Sequence, residues 1–387
     1  MRNWIKKKIN CLGIKTLILA ISWYCLACNG DPNSGSEVKS LPVYYLEKVD
    51  SIRVDRETNI WILDVNTANG GFLALDQVTE EFLVLDKRGK VVEAVIRVGE
   101  GPNEYNSRLL TASFNQEEGG YFAQSSVEFL WFNDAWEINK RIRFASSTSM
   151  FFYPGPKLKV PYYRLSDASI PYFFTNFFSG FTYMGGSEGE MAKYLIEQFN
   201  PQKQDLEWVL PSDPELLPEF EVDQKNKGTK PTPIYALNRE EKLLYLTFER
   251  SSEIGVYDMA NEFELKKKIS FTHDSFSLTK KSKNTKLLQF SPDLNGILYF
   301  EGLSEAATEA RKSAEPNYFP FMDPSLYRMI VIHDGVQQVE EIDFPLSCDP
   351  RSEILQLPEN RVLLRDIYTG DKEPEYHSYS IYELIAE

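Results

Sequence analysis

The sequence predicts an all-β fold: a β-propeller of six four-stranded antiparallel blades, closed into a ring by an N-terminal strand. Three observations predict it. A strand–bend–strand–turn–strand pattern recurs from Gly70, Tyr121, Thr182, Lys242 and Leu326. A further apolar strand precedes each copy. The chain also ends one strand short of a full blade, while an orphan strand stands near its start. Four antiparallel strands per repeat make a propeller blade. A sandwich of stacked meanders would not leave one unpaired strand at each end. Spread over residues 28–387, six blades take about 60 residues each, and the uneven spacing also admits five or seven.

The first 27 residues stand apart from this pattern. Arg2, Lys6, Lys7 and Lys8 form a basic flank, and "TLILAISWYCLA" follows as a short apolar core ending at Ala27. This is the order of a secretory signal. The core falls short of the roughly 20 apolar residues of a membrane-spanning helix. Leu26-Ala27-Cys28 resembles the lipobox of bacterial lipoproteins, and polar "NGDPNSGSEVKS" follows at once. The expected organisation is a signal over 1–27, lipid on Cys28, a tether over 28–42 and one propeller domain over 43–387. The implied location is the bacterial cell envelope, periplasm-facing or at the cell surface, with the membrane reached through the lipid.

Cysteine and charge narrow the function classes. Once Cys11 and Cys25 leave with the signal and Cys28 carries lipid, only Cys348 remains. One thiol forms no internal disulfide and no multi-cysteine zinc site. The whole chain carries −15, and without the five cations of the first 27 residues the remainder stands at −20. Nucleic-acid binding needs Lys and Arg to displace counterions, so it is excluded as a partner class.

The elements follow in order. "KVDSIRVD" is the orphan strand. "NIWILDV", "LLTASFN", "SIPYFFT", "PIYALN" and "KLLQFS" are the first strands of successive blades. Asp86, Asn133, Asn200, Asp258 and Asp334 each end a strand at a short polar turn, where an Asx side chain bonds its own backbone. "SEILQLP", "RVLLRDIY" and "HSYSIYELI" make a last blade lacking its outer strand, which Val49–Asp55 supplies.

Between two blades lies "RVGEGPNEY", Arg97–Tyr105. Its glycines permit unusual backbone angles and Pro102 stiffens it. A phosphate cradle needs free N–H groups at a helix start. Here Pro102 removes a donor, Glu100 and Glu104 repel an anion, and no helix follows. The stretch therefore reads as a blade crossing. It resembles the Gly-x-Gly-Pro-x-Glu-aromatic turn of TolB-like six-bladed propeller lipoproteins of Bacteroidetes, and the chain from Cys28 onward is similar to a family of theirs classed as a domain of unknown function. The resemblance implies the propeller and the envelope location, and it transfers no catalytic residue.

Catalytic motifs are sparse. "GGSEG" at Gly185–Gly189 fits the Gly-x-Ser-x-Gly nucleophile elbow with Ser187, but its surroundings follow the strand–turn rhythm instead of a strand–helix alternation. His273, His333 and His377 form no paired zinc motif, no calcium loop occurs, and no motif calls for a cofactor or metal. The long segments Ser146–Asp167, Pro211–Thr232, Thr272–Thr285, Gly302–Ser325 and Thr369–Tyr376 all fall at the end of the blades that carries the crossings. Long loops on a rigid scaffold are where binding concentrates. The candidate binding residues are therefore Glu104, Arg108, Arg250 and Glu301 near strand ends, with Tyr318 and Phe319 as a lid. Tyr318 and Phe319 have an equal alternative role in packing the insertion onto its own blade. The leading expectation is a non-catalytic binding or scaffold module for a protein, peptide or glycan. The alternative is a glycan hydrolase or lyase using loop carboxylates such as Glu104 or Glu301 with Arg108 or Arg250.

Overall fold

A computed structural model describes residues 42–387, apart from 107–108, 117–118, 126–127, 144–161, 165–171, 178–193, 201–204, 212, 214, 220–232, 239, 274–281 and 371–373. The compact unit runs Val43–Glu387. The expected signal, Cys28 and nearly all of the expected tether lie outside the described residues, as do Ser187 and Arg108.

The unit begins with β1 (Tyr44–Val54). The first complete sheet is β2 (Ile60–Val65), β3 (Phe72–Asp76), β4 (Glu81–Leu85) and β5 (Val91–Ile96). Next comes β6 (Leu109–Phe114), β7 (Tyr121–Ser125), β8 (Glu128–Phe132) and β9 (Ile138–Arg143). After β10 (Tyr162–Arg164), β11 (Tyr172–Phe177), β12 (Tyr194–Asn200) and β13 (Asp205–Pro211), a sheet forms from β14 (Pro233–Asn238), β15 (Leu243–Phe248), β16 (Glu253–Asp258) and β17 (Glu264–Ser270). The following sheet holds β18 (Lys283–Ser291), β19 (Leu294–Phe300), β20 (Tyr327–His333), β21 (Val336–Gln337) and β22 (Ile342–Asp343). The last is β23 (Leu355–Leu357), β24 (Arg361–Arg365) and β25 (His377–Ala386), and β1 is its outer strand. Each middle strand, such as β3, β7, β15 or β19, is buried along its length because sheets cover both its faces. The outer strands β5, β9 and β17 are mostly exposed and carry charge, which guards them against edge pairing.

The ring closure is present. β1 pairs antiparallel with β25 from Tyr44↔Ala386 to Val54↔His377. Ile52 and Val54 enter the core between the last sheet and the first, with Ile60, Leu357 and Ile381.

The blade count is corrected. Six blades were expected, and the described blades number five. Strands β10–β13 follow one another in pairing order, but β11 meets β10 through Tyr172–Phe174 and β12 through Thr175–Phe177. No residue of β11 is therefore paired on both sides, whereas a blade's second strand is paired on both edges through its middle, as β3 is. The strand order there also departs from expectation: "SIPYFFT" overlaps the second of these strands, not the first. Of the side chains of β10–β13, only Leu210 and Pro211 are described, and Leu210 packs with Leu244, Tyr257 and Phe263.

Antiparallel order gives the propeller two ends. One carries the blade crossings and the second-to-third-strand loops, and is called the crossing face. The other carries the remaining tight turns, and is called the hairpin face. The Asx bond is present at Asp86, Asn133 and Asp258; among the described residues the Asp334–Gly335 turn makes none and rests on positive φ at both residues, and the turn after Asn200 lies outside them. Asp86 Oδ1 accepts from the backbone of Arg88 and Lys90, and Asn133 Oδ1 from Ala135 and Glu137. The longest described insertion joins β19 to β20 on the crossing face. It contains α1 (Glu305–Ala314), capped by Ser304 Oγ accepting from Ala307 N, and two 3-10 turns. Among the described residues, no helix is long and apolar enough to cross a membrane.

Candidate functional site

The crossing "RVGEGPNEY" is a self-bonded turn. Gly99 N donates to Tyr105 O at 2.9 Å, and Tyr105 N to Arg97 O at 2.8 Å. The Glu104 carboxylate folds back and accepts from Gly101 N at 2.7 Å. A Cβ on Gly99 would lie 2.0 Å from that carboxylate, so the turn needs glycine there. Tyr105 is 1 % exposed and packs edge-on against Phe82, with ring centroids 6.3 Å apart. Burial raises its phenol far above the usual range. The stretch thus locks one blade to the next.

Arg108 lies outside the described residues, and the remaining proposed site residues stand at separate points of the crossing face. Arg250 sits half-buried in the β15–β16 turn. Glu301 directly follows β19 and faces Arg328 at 3.5 Å. Tyr318 is 9 % exposed and tied into the insertion itself: its hydroxyl donates to Asp323 Oδ2 at 2.8 Å and accepts from Arg311 at 2.9 Å. Both partners belong to the insertion and neither to the blade beneath it. Phe319 is half-exposed beside Phe321, centroids 5.8 Å apart. None of these residues lines either of the two described cavities.

One cavity, of about 230 Å³, opens on the crossing face where the last sheet meets the first. Ile60–Leu63 of β2 line one side. Asp349, Arg351, Glu353, Arg365 and Tyr379 line the other. Arg351 and Asp349 form a two-point fork, with both N···O distances 3.0 Å. Glu353 is paired with Lys286 of the preceding blade. Arg365 donates to Asn59 Oδ1 at 3.0 Å and to His377 Nδ1 at 2.8 Å. An arginine has no acceptor, so Nδ1 of His377 is unprotonated and Nε2 carries the hydrogen it gives to Thr58 O at 2.7 Å. Behind them Thr58 donates to buried Asp76. Burial alone would raise the Asp76 carboxyl, but hydrogen bonds from Thr58 and from the backbone of Thr79 and Val78 outweigh it and hold it low.

Burial, with Arg365 alongside, lowers the His377 pKa below its ordinary 6.5. The folded state then binds fewer protons than the unfolded state as pH falls below 6.5. The histidine's contribution is complete above that pH and declines below it. His273, half-buried beside Tyr299 and joined to Asn284 Oδ1 at 2.8 Å, shifts the same way. Melting temperature should therefore fall as pH drops below 6.5, the ordinary histidine value, and less steeply in His377→Asn. Parallel pH curves for the two proteins would remove His377 as the cause.

The second cavity, of about 490 Å³, opens on the hairpin face between the sheets β2–β5 and β6–β9. Cys348 belongs to neither. It is fully buried, and burial pushes its thiol up to about 11, which leaves it without thiolate character near neutral pH. Among the described residues, no group of three or more His, Cys, Asp or Glu is placed to hold a metal ion.

No family model matches the chain, and no curated protein does. Solved structures do. A member of the DUF4221 family from Bacteroides vulgatus is similar over 89 % of this chain and 99 % of its own, with a TM-score of 0.63 at 10 % identity. A Bacteroides fragilis protein described as exported covers 89 % and 95 %, with a TM-score of 0.47 at 9 % identity. A protein of unknown function from Bacteroides caccae covers 78 % and 94 %, with a TM-score of 0.38 at 8 % identity. The first likeness shows the propeller fold. The expected resemblance is corrected in its blade number, since the described blades count five, and kept in its architecture: a propeller of four-stranded antiparallel blades like that of a Bacteroides protein.

Proposed function

We propose that the protein is a lipid-anchored binding module whose crossing face holds a protein or peptide segment, with one side chain of that segment seated in the cavity between β2 and β23. The cavity carries this reading. Its 230 Å³ is below the roughly 300–1,000 Å³ of sites that enclose a whole small ligand. It suits one residue of a longer chain. Its charges are already held by partners, Arg351 by Asp349, Glu353 by Lys286 and Arg365 by Asn59 and His377, so they meet a partner pre-oriented. The carboxylates of the glycan-cleaving alternative have other occupations: Glu104 closes its own turn and Glu301 faces Arg328. The chain enters β1 at the hairpin face, which leaves the crossing face free of the tether's attachment point.

The test uses two variants of the tethered protein. Cys28→Ser should move it from the membrane to the soluble fraction. Arg351→Ala should lose an envelope partner that wild type and Asn139→Ala both capture. Retention of Cys28→Ser on the membrane would refute the anchor, and equal capture by Arg351→Ala would refute the site.

A further inference from the structure

The hairpin-face cavity is the larger of the two, and the proposed function leaves it unused. Its volume of about 490 Å³ falls within the range of small-ligand sites. Its rim is made of short turns at strand ends, Asp86 among them. Each turn consumes one side-chain atom and leaves the other. Asn66 Oδ1 accepts from Ala68 N, and Asn69 Oδ1 from Gly71 N. Their amide groups keep two N–H donors each. Asp86 spends Oδ1 on Arg88 N and Lys90 N, and Asp134 spends Oδ1 on Gly120 N at 2.7 Å. Each keeps a second carboxylate oxygen. Lys87 has no ion-pair or hydrogen-bond partner among the described residues.

Two aromatic side chains, Phe114 and Tyr121, line the cavity, and Tyr121 belongs to an aromatic plate. Tyr121 is 8 % exposed and stacks on Trp136, centroids 3.8 Å apart and planes within 10°. Trp136 in turn stacks on Phe82 at 4.8 Å. The plate is therefore rigid. Yet the Tyr121 hydroxyl, in a ring more than nine-tenths buried, has no hydrogen-bond partner among the described residues although its residue lines the cavity. Burial, with Glu93 and Asp134 nearby, lifts that phenol to about 12, so it remains protonated and able to donate.

Donors and acceptors alternate around this rim: amides and an ammonium beside carboxylates, with a phenol that does both. A sugar hydroxyl both gives and takes a hydrogen bond, so vicinal hydroxyls need such mixed partners. An anion would meet Asp86 and Asp134, and a compact cation would meet Lys87. The apolar C–H face of a sugar ring suits the aromatic wall. We propose that this cavity is a carbohydrate site that takes one or two residues of a neutral glycan. It is separate from the crossing-face site and would let the propeller hold a sugar and a protein partner at its two ends.

The test measures saturation-transfer NMR and titration of the soluble Cys28→Ser protein with methyl glycosides of glucose, galactose, mannose and N-acetylglucosamine, and with maltose and cellobiose. Asp86→Asn and Asp134→Asn keep Oδ1 for the turn and convert the remaining acceptor to a donor. At least one sugar should bind wild type at millimolar concentration, and each variant should weaken it about tenfold, the loss expected for one charged hydrogen bond. Glu359→Gln, on the same face in the last blade, should leave it unchanged. No binding by any sugar in the set, or equal binding by both Asn variants with unchanged melting temperatures, would overturn the proposal. Failure here leaves Arg351→Ala capture unaffected, since that variant lies at the other end.

Discussion

Deleting residues 44–56 should abolish cooperative folding of the whole chain, not fray one end of it. β1 contributes ten ladder pairs to β25. Its removal would expose that edge over its length, and an open edge invites pairing with other chains. The loss also reaches two inter-blade cores. Ile52, 2 % exposed, and Val54, 0 % exposed, fill the seam between the last and first sheets. Tyr44 enters the next seam with Phe344 and Leu384. Its backbone is clasped by Gln338, which accepts from Tyr44 N at 2.6 Å and donates to Tyr44 O at 3.2 Å. A ring cut at one seam loses the constraint that holds every other. The milder variant Ile52→Ala should cost about 2–5 kcal/mol, as deletion of a buried aliphatic side chain does. Circular dichroism melts and amide exchange would show both effects. An unchanged melting temperature after deletion would mean that β1 is not the clasp.

The inner strands and their Asx turns were legible because each carries its own local signal. "NIWILDV" and "PIYALN" alternate or run apolar between polar turns, and both begin sheets where expected. β1 was read too short, as Val49–Asp55. The strand begins at Tyr44, but its middle, Glu47–Ser51, is exposed, so the apolar pattern fades there. The region 161–183 misled for the opposite reason. "PYYRLSDASIPYFFTNFFSGFTY" is aromatic at adjacent positions, so the two-residue period that fixes which face is buried is lost. Strand order was assigned one step early as a result.

The crossing-face cavity was missed for a topological reason. Trp61 and Asn59 lie about as far along the chain from Arg351 and Arg365 as this fold allows, and only closure brings them together; the Asn59–Arg365 hydrogen bond spans 306 residues. The signal was nonetheless present in the orphan strand. Once β1 is placed beside β25, residues 55–61 must abut residues 349–365. The hairpin-face cavity has no long loop to mark it in the sequence, since only short turns frame it. Their side chains are half used by the backbone, and the unused half lines the space between blades.

Trp136→Ala should be the most damaging single substitution in the first seam, costing about 3–5 kcal/mol as loss of a large buried aromatic does. The indole is 1 % exposed and lies between Phe82 and Tyr121, so its removal takes away contacts on both faces. The backbone adds a second effect. Trp136 has φ of +59°, in a turn where its N–H donates to Asn133 O and its carbonyl accepts from Arg97. A left-handed conformation costs an L-residue about 1–2 kcal/mol, and glycine adopts it freely. Trp136→Gly should therefore be no less stable than Trp136→Ala, although glycine has the more flexible unfolded chain. Trp136→Phe separates ring packing from polarity. The indole Nε1 is buried with no hydrogen-bond partner among the described residues. Phenylalanine removes that unsatisfied donor, whose burial costs about 1–3 kcal/mol. This gain offsets part of the volume it loses. Urea unfolding of the three variants should rank Phe above Gly and Gly at or above Ala. If Phe falls to the level of Ala, the seam depends on the second indole ring and not on stacking alone. The sugar titration then gives an independent reading, because Trp136 stacks on Tyr121, which lines the cavity.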